Sequence, residues 1–490
     1  MASSGSMLED RKCASRSLGR VLILGLGKSG RIAARYCLDL LGSRVQGVAI
    51  AAGSFNEEAA AFADQCRDKG AAVLFDHTDM QGTYDICIAS PGISQFSDFY
   101  LSAQTASEEI MSEVEFAWRE SRADSKWIAV TGTNGKTTTT ALCAHLLETA
   151  GMQVEAVGNI GDTCLEAVAR GDADVFVAET SSYQLASTIH FAPDVAVLLN
   201  ITPDHVKWHR SHEAYVAAKC KILANLASAP DGVAVLDAVN DTVRERVQAL
   251  RAQGDERGFD YIPIGAKDGL SADMRHVCGS RNAAFMRASD RMLSVGFRGQ
   301  DYDLCTADSL LIPGEHNIGN ALAAAAAALA IGADPEAVRT GLATFSSLEH
   351  RIEACGLIHG IACYNDSKAT NVDATLKALV AFDPKHPIAL LGGDDKGTDL
   401  SELVAAAQAH CAAVICFGAA RQRFLEAFEG ATIPVYAADH MEQALDEALA
   451  HADAGDIILL SPACASFDEF NCFEQRGEVF KELVAMRARG

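Results

Sequence analysis

Ten short apolar runs punctuate the chain, at residues 20–24, 45–50, 84–89, 127–130, 174–178, 194–199, 361–364, 388–391, 414–417 and 457–460. Within them apolar residues run on rather than alternate, which predicts strands buried on both faces, as in parallel sheets. Stretches of helical spacing lie between most of them, among them Ala141-Leu142-Cys143-Ala144-His145-Leu146-Leu147 and the alanine-rich run at 321–330. Strand, polar turn and helix in repeated order predict α/β layers, with ligand loops at the carboxyl ends of the strands. Two stretches break the rhythm. Residues 240–300 are expected to form an irregular peripheral sheet region, and residues 1–18 to be disordered.

The sharpest turn is AVTGTNGKTTTT, residues 129–140. A strand before it and a helix after it are the context that a phosphate loop requires. Gly132, Thr133, Asn134, Gly135, Lys136, Thr137 and Thr138 are the residues expected around a nucleoside triphosphate, with Lys136 on the terminal phosphates and Thr137 on magnesium. The rival is an ordinary turn before a helix. Glu179 ends the 174–178 strand and suits either a magnesium ligand or a helix cap. Asp204 and His205 leave the 194–199 strand, where a metal ligand or substrate contact is useful; a lone loop histidine is more often a surface residue. Lys219 and Lys221 are two apart on a predicted helix and face different sides. Asn317 and Asn320 precede the alanine run, as helix caps or base contacts.

Near the amino terminus Gly25-Leu26-Gly27-Lys28-Ser29-Gly30 follows a strand, a Rossmann-like first turn. The next strand ends Ala49-Ile50-Ala51 without the acidic residue that grips a ribose, which disfavours a nicotinamide cofactor. Ser90-Pro91-Gly92-Ile93 is a second tight turn, and the polar stretch 105–115 marks the end of this part. Toward the carboxyl terminus the strands release three dense polar loops, at 365–371, 392–397 and 461–468. The fold class expected is therefore α/β with three domains: Rossmann-like at 1–114, a central P-loop ATPase-type sheet at 115–347, and Rossmann-like at 348–490. A length of 490 residues fits two to four cores.

Composition narrows the partners. Lys+Arg 41 against Asp+Glu 65 gives a net charge of -24, which argues against nucleic acid and anionic membrane, so an anionic ligand needs local positive sites. The 15 cysteines include no CxxC pair, no secretory signal is read, and no apolar run is long enough for a bilayer; reduced thiols in a cytoplasmic protein are expected.

Taken together, GTNGKTTTT, AETSSYQL, NITPDHVKWH, AAKCKIL, GEHNIGN and LEHR resemble the Mur ligase family, the amide-forming peptidoglycan ligases and folylpolyglutamate synthetase. Within it NDSKATN, GGDDKGTD and SPACASFDEFNCFEQRG are similar to the member that adds D-glutamate to UDP-N-acetylmuramoyl-L-alanine. The resemblance runs from about residue 20 to the carboxyl terminus. It implies catalytic roles for Lys136, Glu179, His205 and Lys219, with Thr137, Glu179, His205 and a carbamylated Lys219 holding two magnesium ions. It implies that Asn320, Arg351 and Asp366 join the loop in binding ATP, and that Lys28, Ser29, Gly92, Asn159 and His205 meet the UDP-substrate. Lys368, Thr370, Lys396, Ser466, Phe467 and Phe473 would surround D-glutamate. Where some members carry an acidic-Thr-Arg cluster after the second strand, this chain has Ala49-Ile50-Ala51. The implied partners are these small molecules alone, handled by a monomer. An acyl phosphate formed with ATP would be attacked by the amine, and closure of the third domain would exclude water. A nucleotide-sensing switch and another ligase of the family are the rivals.

Overall fold

The computed structural model describes residues 7–55, 57–265, 278, 280–312, 314–346, 348–395 and 397–489. They build three sheets. The first comprises β1 (Gly19–Leu24), β2 (Val45–Ala51), β3 (Ala72–Leu74), β4 (Tyr84–Ala89) and β5 (Ser107–Ser112), all parallel in the order β3-β2-β1-β4-β5. Val21 and Ile23 of β1 pack with Ala33, Cys37 and Phe62 of the helices Lys28–Asp39 and Glu57–Asp68. Leu22 and Leu24 point the other way, toward Tyr100 and Ala103 of the helix Asp98–Ala106. Both faces are covered, which is why the run is continuously apolar.

The second sheet comprises β6 (Lys126–Thr131), β7 (Val154–Gly158), β8 (Val175–Glu179), β9 (Val195–Leu198), β10 (Val233–Asp237), β11 (Asp260–Gly265), β12 (Ala283–Arg287), β13 (Met292–Phe297) and β14 (Gln300–Thr306). Its order is β14-β13-β12-β11-β10-β9-β6-β8-β7, parallel from β7 to β12 and antiparallel across the last hairpin. One apolar cluster runs from Val21 of β1 through Phe116 to Trp127 and Phe176, so these two sheets share a core.

The third sheet comprises β15 (Glu353–Ile358), β16 (Ile361–Asn365), β17 (Ile388–Gly392), β18 (Ala413–Phe417), β19 (Val435–Ala437) and β20 (Ile457–Ala463), in the order β15-β16-β20-β17-β18-β19. Only β15 is antiparallel to its neighbour. Backbone contacts divide the chain into two compact units, Met1–Asp308 with Gly319–Ala343, and Ser309–Ile318 with Thr344–Gly490. Among the described residues no helix is long and apolar enough to cross a membrane. All 15 cysteines are free thiols.

Several expectations give way. The polar stretch 105–115, where the first part was expected to end, is built into regular structure: it forms β5 and the start of the helix Glu113–Glu120, every residue of which is buried. Two of its carboxylates, Glu115 and Glu120, are tolerated because they are partnered. Glu115 pairs with Arg119 and accepts from the His190 N–H at 2.9 Å, while Glu120 pairs with Arg44 at 2.6 Å and accepts from Tyr36. Residues 7–18, expected to be disordered, pack onto this helix: Lys12 N–H donates to the Ser121 carbonyl at 3.0 Å and Arg44 Nη2 to that of Ser15 at 2.6 Å. Within 240–300 lies a regular helix, Asp241–Gln253, capped by Asn240 and burying Val243, Val247 and Leu250 on one face. The alanine-rich helix begins at Glu315, so Asn317 and Asn320 lie inside it rather than capping it.

Candidate functional site

β6 ends at Thr131 and the helix Lys136–Thr149 starts five residues on, with Gly135 as its amino-terminal cap at φ +82°. A side chain at Gly135 would be strained in that left-handed conformation, and its Cβ would stand 2.4 Å from Asn320 Oδ1. The loop is braced from below. Thr133 N–H donates to the Asn200 carbonyl at 2.7 Å, Asn134 N–H to Asn200 Oδ1 at 2.9 Å, and Thr133 Oγ1 shares a 2.9 Å hydrogen bond with Tyr215 Oη. Thr139 Oγ1 donates to Asn320 Oδ1 at 3.2 Å, which sets Asn320 against the first turn of the helix that follows the loop.

Two lysines converge here. Lys136 Nζ donates to the carbonyls of Gly132 at 3.0 Å and Thr133 at 2.9 Å. Lys219, on the helix His212–Cys220, donates to the same Gly132 carbonyl at 2.7 Å and is buried. Burial, and then the charge of Lys136, push the Lys219 amine well below its ordinary pKa, against the opposing pull of Asp204 and Glu179. Lys221 faces away and holds the Ala186 and Thr188 carbonyls. Glu179 ends β8; its Oε1 accepts from Asn159 Nδ2 at 2.9 Å, while Oε2 is buried with no hydrogen-bond partner among the described residues. A buried carboxylate oxygen with no hydrogen-bond partner, whose charge acts on Lys219, fits a hard metal ion. His205 is exposed, at φ +52°, with Nε2 3.4 Å from Asp204 Oδ2 and its ring 4.8 Å from that of Tyr183.

One neighbour of this cluster was not singled out from sequence. His209 is wholly buried, shares a 2.9 Å hydrogen bond with Ser182 Oγ, and is pushed down to about 4 by burial and by the charges of His205 and Lys219. The signal available in the sequence was the adjacent pair Trp208-His209; the structure stacks both rings on Tyr183.

At the carboxyl edge of the first sheet the two glycine turns meet between β1 and β4, where the strand order reverses. A Cβ on Gly30 would lie 2.0 Å from the Gly25 carbonyl oxygen, so the turn closes only with glycine there. Ser90 Oγ is buried at this point with no hydrogen-bond partner among the described residues, against Gly25 and Gly30 and two residues before the exposed Gly92. Lys28 Nζ donates to the Gly161 carbonyl at 2.8 Å, which joins this edge to the turn that carries Asn159. Four residues expected at one substrate are thus brought to one region.

The second unit holds the remaining candidates. Asp366 is buried, accepts from Ile352 N–H at 3.2 Å and from Ser461 Oγ at 2.7 Å, and is pushed up to about 7 by burial despite those bonds and Arg351. Lys368 Nζ stands 3.7 Å above the Phe473 ring, and Thr370 N–H donates to the Lys368 carbonyl at 2.8 Å. Ser466 is buried and Phe467 is 70% exposed. Lys396 lies outside the described residues. Arg476, part of the SPACASFDEFNCFEQRG stretch but given no role from sequence, holds backbone carbonyls of these loops; an arginine within the stripe Phe473, Gly477, Phe480, Leu483, Val484 was its signal.

A phosphate loop with a buried acid and a desolvated lysine, set in a mainly parallel sheet, defines a phosphoryl-handling α/β enzyme. Comparison narrows the class. The model of the Mur ligase middle domain matches residues 130–328, and that of the Mur ligase glutamate ligase domain matches 350–464. The UDP-N-acetylmuramoylalanine--D-glutamate ligase of Acidobacterium capsulatum is 36% identical over 469 residues, 95% of this chain and 96% of that one. The enzyme of the same name from Thermoanaerobacter pseudethanolicus is 37% identical over 406 residues, 82% and 84% of the two chains. MurF from Acinetobacter baumannii has a similar fold, at TM-score 0.57 and 18% identity over 95% of this chain and 93% of its own. The pseudomurein peptide ligase type C of Methanothermus fervidus gives 0.55 and 19% over 95% and 99%. The chain belongs to the Mur ligase family.

Proposed function

We propose that this enzyme joins D-glutamate to UDP-N-acetylmuramoyl-L-alanine at the expense of ATP, in cytoplasmic peptidoglycan precursor synthesis. It rests on one observation above all: Lys136 and Lys219 converge on the Gly132 carbonyl, and Glu179, whose buried Oε2 has no hydrogen-bond partner among the described residues, acts on Lys219 through its charge. The names of the relatives supply the substrates. A carboxylate is a poor electrophile, so its oxygen first takes the γ-phosphoryl group of ATP and ADP leaves. The amine of D-glutamate then attacks the acyl carbon, and phosphate departs as the amide forms.

The chain's residues take these parts. Residues 132–138 cradle the phosphates, and Lys136 exchanges its carbonyl partners for phosphate oxygens that gain charge in transfer. Thr137, Glu179, His205 and Lys219 would hold two magnesium ions, which when bound neutralise that charge. The depressed pKa of Lys219 leaves part of the amine neutral, and a neutral amine adds carbon dioxide, releasing a proton and becoming an oxygen donor. Lys28, Ser29, Gly92, Asn159 and His205 bind the UDP-substrate, and Asn320, Arg351 and Asp366 the nucleotide. Lys368, Thr370, Lys396, Ser466, Phe467 and Phe473 bind D-glutamate, whose two carboxylates need cations when desolvated. The functional divisions fall near residues 114 and 347, and the enzyme acts as a monomer.

Phosphate release with UDP-N-acetylmuramoyl-L-alanine tests this, with D-glutamate, L-glutamate, L-alanine and a diamino acid supplied in turn. Turnover confined to D-glutamate is expected. Turnover with another amino acid would overturn the assignment of the 365–371 and 461–477 loops, and release independent of any amino acid would overturn the ligase.

A further inference from the structure

Arg476 lies on the helix Phe473–Arg487 and is wholly buried. A guanidinium taken out of water normally sits against a carboxylate, because an unpaired buried ion costs several kcal/mol. Among the described residues none of the hydrogen bonds of Arg476 goes to one. Nε donates to Ser367 Oγ at 2.9 Å, Nη1 to the Ala465 carbonyl at 3.0 Å, and Nη2 to the carbonyls of Ser367 at 2.9 Å and Cys464 at 3.1 Å. Asp468, Glu469 and Asp366 compensate the charge only from further off, and burial brings its pKa down to about 10. Stability alone does not account for so expensive a group, since apolar residues of similar volume often serve as well or better.

What the cation grips is more informative. Its acceptors lie on two loops that reach the third sheet from different strands, one after β16 and one at the end of β20. Ser367 Oγ, having accepted from Arg476, donates to the Phe473 carbonyl at 2.8 Å and closes the ring back onto the start of the same helix. Ala465 exchanges two backbone hydrogen bonds with Asp394, at 2.9 and 3.0 Å, which ties in the loop after β17. Ser466 follows Ala465 directly, and Lys368 follows Ser367 and stands over the Phe473 ring. A planar fork of fixed donors can hold several carbonyls at set spacing; a single ammonium on a flexible stem cannot.

We propose that Arg476 is a positioning residue for the amino-acid substrate: its guanidinium sets the spacing between the 365–371 and 463–473 loops, and through them the affinity for a small dicarboxylic amine. This rests on the ligase reading above. The residue touches no substrate; it acts through Ser367, Cys464 and Ala465.

The test is phosphate release by Arg476→Lys and Ser367→Ala, with KM measured for D-glutamate and for the UDP-substrate, whose proposed residues lie on the other unit. Misplacement of binding groups by about 1 Å can cost on the order of 100-fold, so R476K is expected to raise KM for D-glutamate by ~10-fold or more. KM for the UDP-substrate should stay unchanged, and S367A should move in the same direction by less. A merely structural arginine would lower thermal stability and the active fraction while leaving KM for D-glutamate at its wild-type value in both variants; that result overturns the proposal. Should R476K fail to fold, S367A, which keeps the cation, decides by the same comparison. Wild-type enzyme that releases phosphate without regard to D-glutamate would overturn the ligase reading and this proposal with it. D-glutamate-dependent wild type with unchanged KM in the variants would overturn the role of Arg476 alone.

Discussion

Lys136 and Lys219 donate to one and the same acceptor, the carbonyl oxygen of Gly132, from helices that start 76 residues apart in sequence. Two ammonium groups sharing one oxygen repel each other. Relief comes from loss of charge on the buried partner, which is the direction in which Lys219 is pushed.

Replacing Lys219 by Ala is therefore expected to remove ligation, by more than ~100-fold, while leaving the fold intact. Short carboxylates such as formate should restore part of the turnover by standing in for a carbamate. Phosphate release with and without formate, beside a thermal melt, checks this; full activity without additive would remove Lys219 from the mechanism.

Gly135→Ala asks a residue with a Cβ to hold φ +82° and to place that Cβ 2.4 Å from Asn320 Oδ1. The backbone cost alone is about 1–2 kcal/mol. We expect a lower melting temperature together with a loss of ATP-dependent turnover. A variant with wild-type values of both would show that the loop tolerates another conformation.

Glu113 gives a pH dependence of stability with a definite sign. It is buried beside the Leu165 N–H, and burial raises its carboxyl to about 7 from an ordinary 4.5. The folded state thus holds a proton that the unfolded state releases at lower pH. Its stabilising contribution is full below pH 4.5 and is lost as pH rises through 7, on the order of 3 kcal/mol in all. Melting temperatures from pH 5 to 8 should fall more steeply for the wild type than for Glu113→Gln; parallel curves would refute the shift.

Asn240→Ala tests a helix of the central sheet that has no part in the proposed chemistry. Its side chain caps Val243 N–H at 3.1 Å, and loss of such a cap costs typically about 1 kcal/mol. Denaturant melts should show that loss with turnover per folded enzyme unchanged.

Ten strands, β1, β2, β4, β6, β8, β9, β16, β17, β18 and β20, were legible because most of their residues are buried and so are written as apolar runs; β1, β4, β8 and β20 lie within a few residues of the runs that announced them. The phosphate loop was legible for a different reason: glycine and lysine at fixed offsets have few other uses. What escaped was structure held by pairing. Glu113, Glu115 and Glu120 read only as polar positions until Leu165, His190 and Arg44 are placed beside them, and those partners are remote in sequence. The helix after Asn240 escaped because only Val243, Val247 and Leu250 mark its buried face amid charge. His209 and Arg476 escaped because one histidine or one arginine carries no pattern of its own.

The helix Glu315–Ile331 has one further consequence. From Ala321 to Ala328 it presents seven alanines and a leucine, each at 0% exposure. With almost no side chain between its backbone and its surroundings, it works as a machined spacer, whose separation from its neighbours is gauged by methyl groups rather than by adjustable rotamers. Asn320 sits at the end of that gauge, against Gly135 and Thr139. A single added methylene among those alanines would be read out at the phosphate loop as a displaced amide.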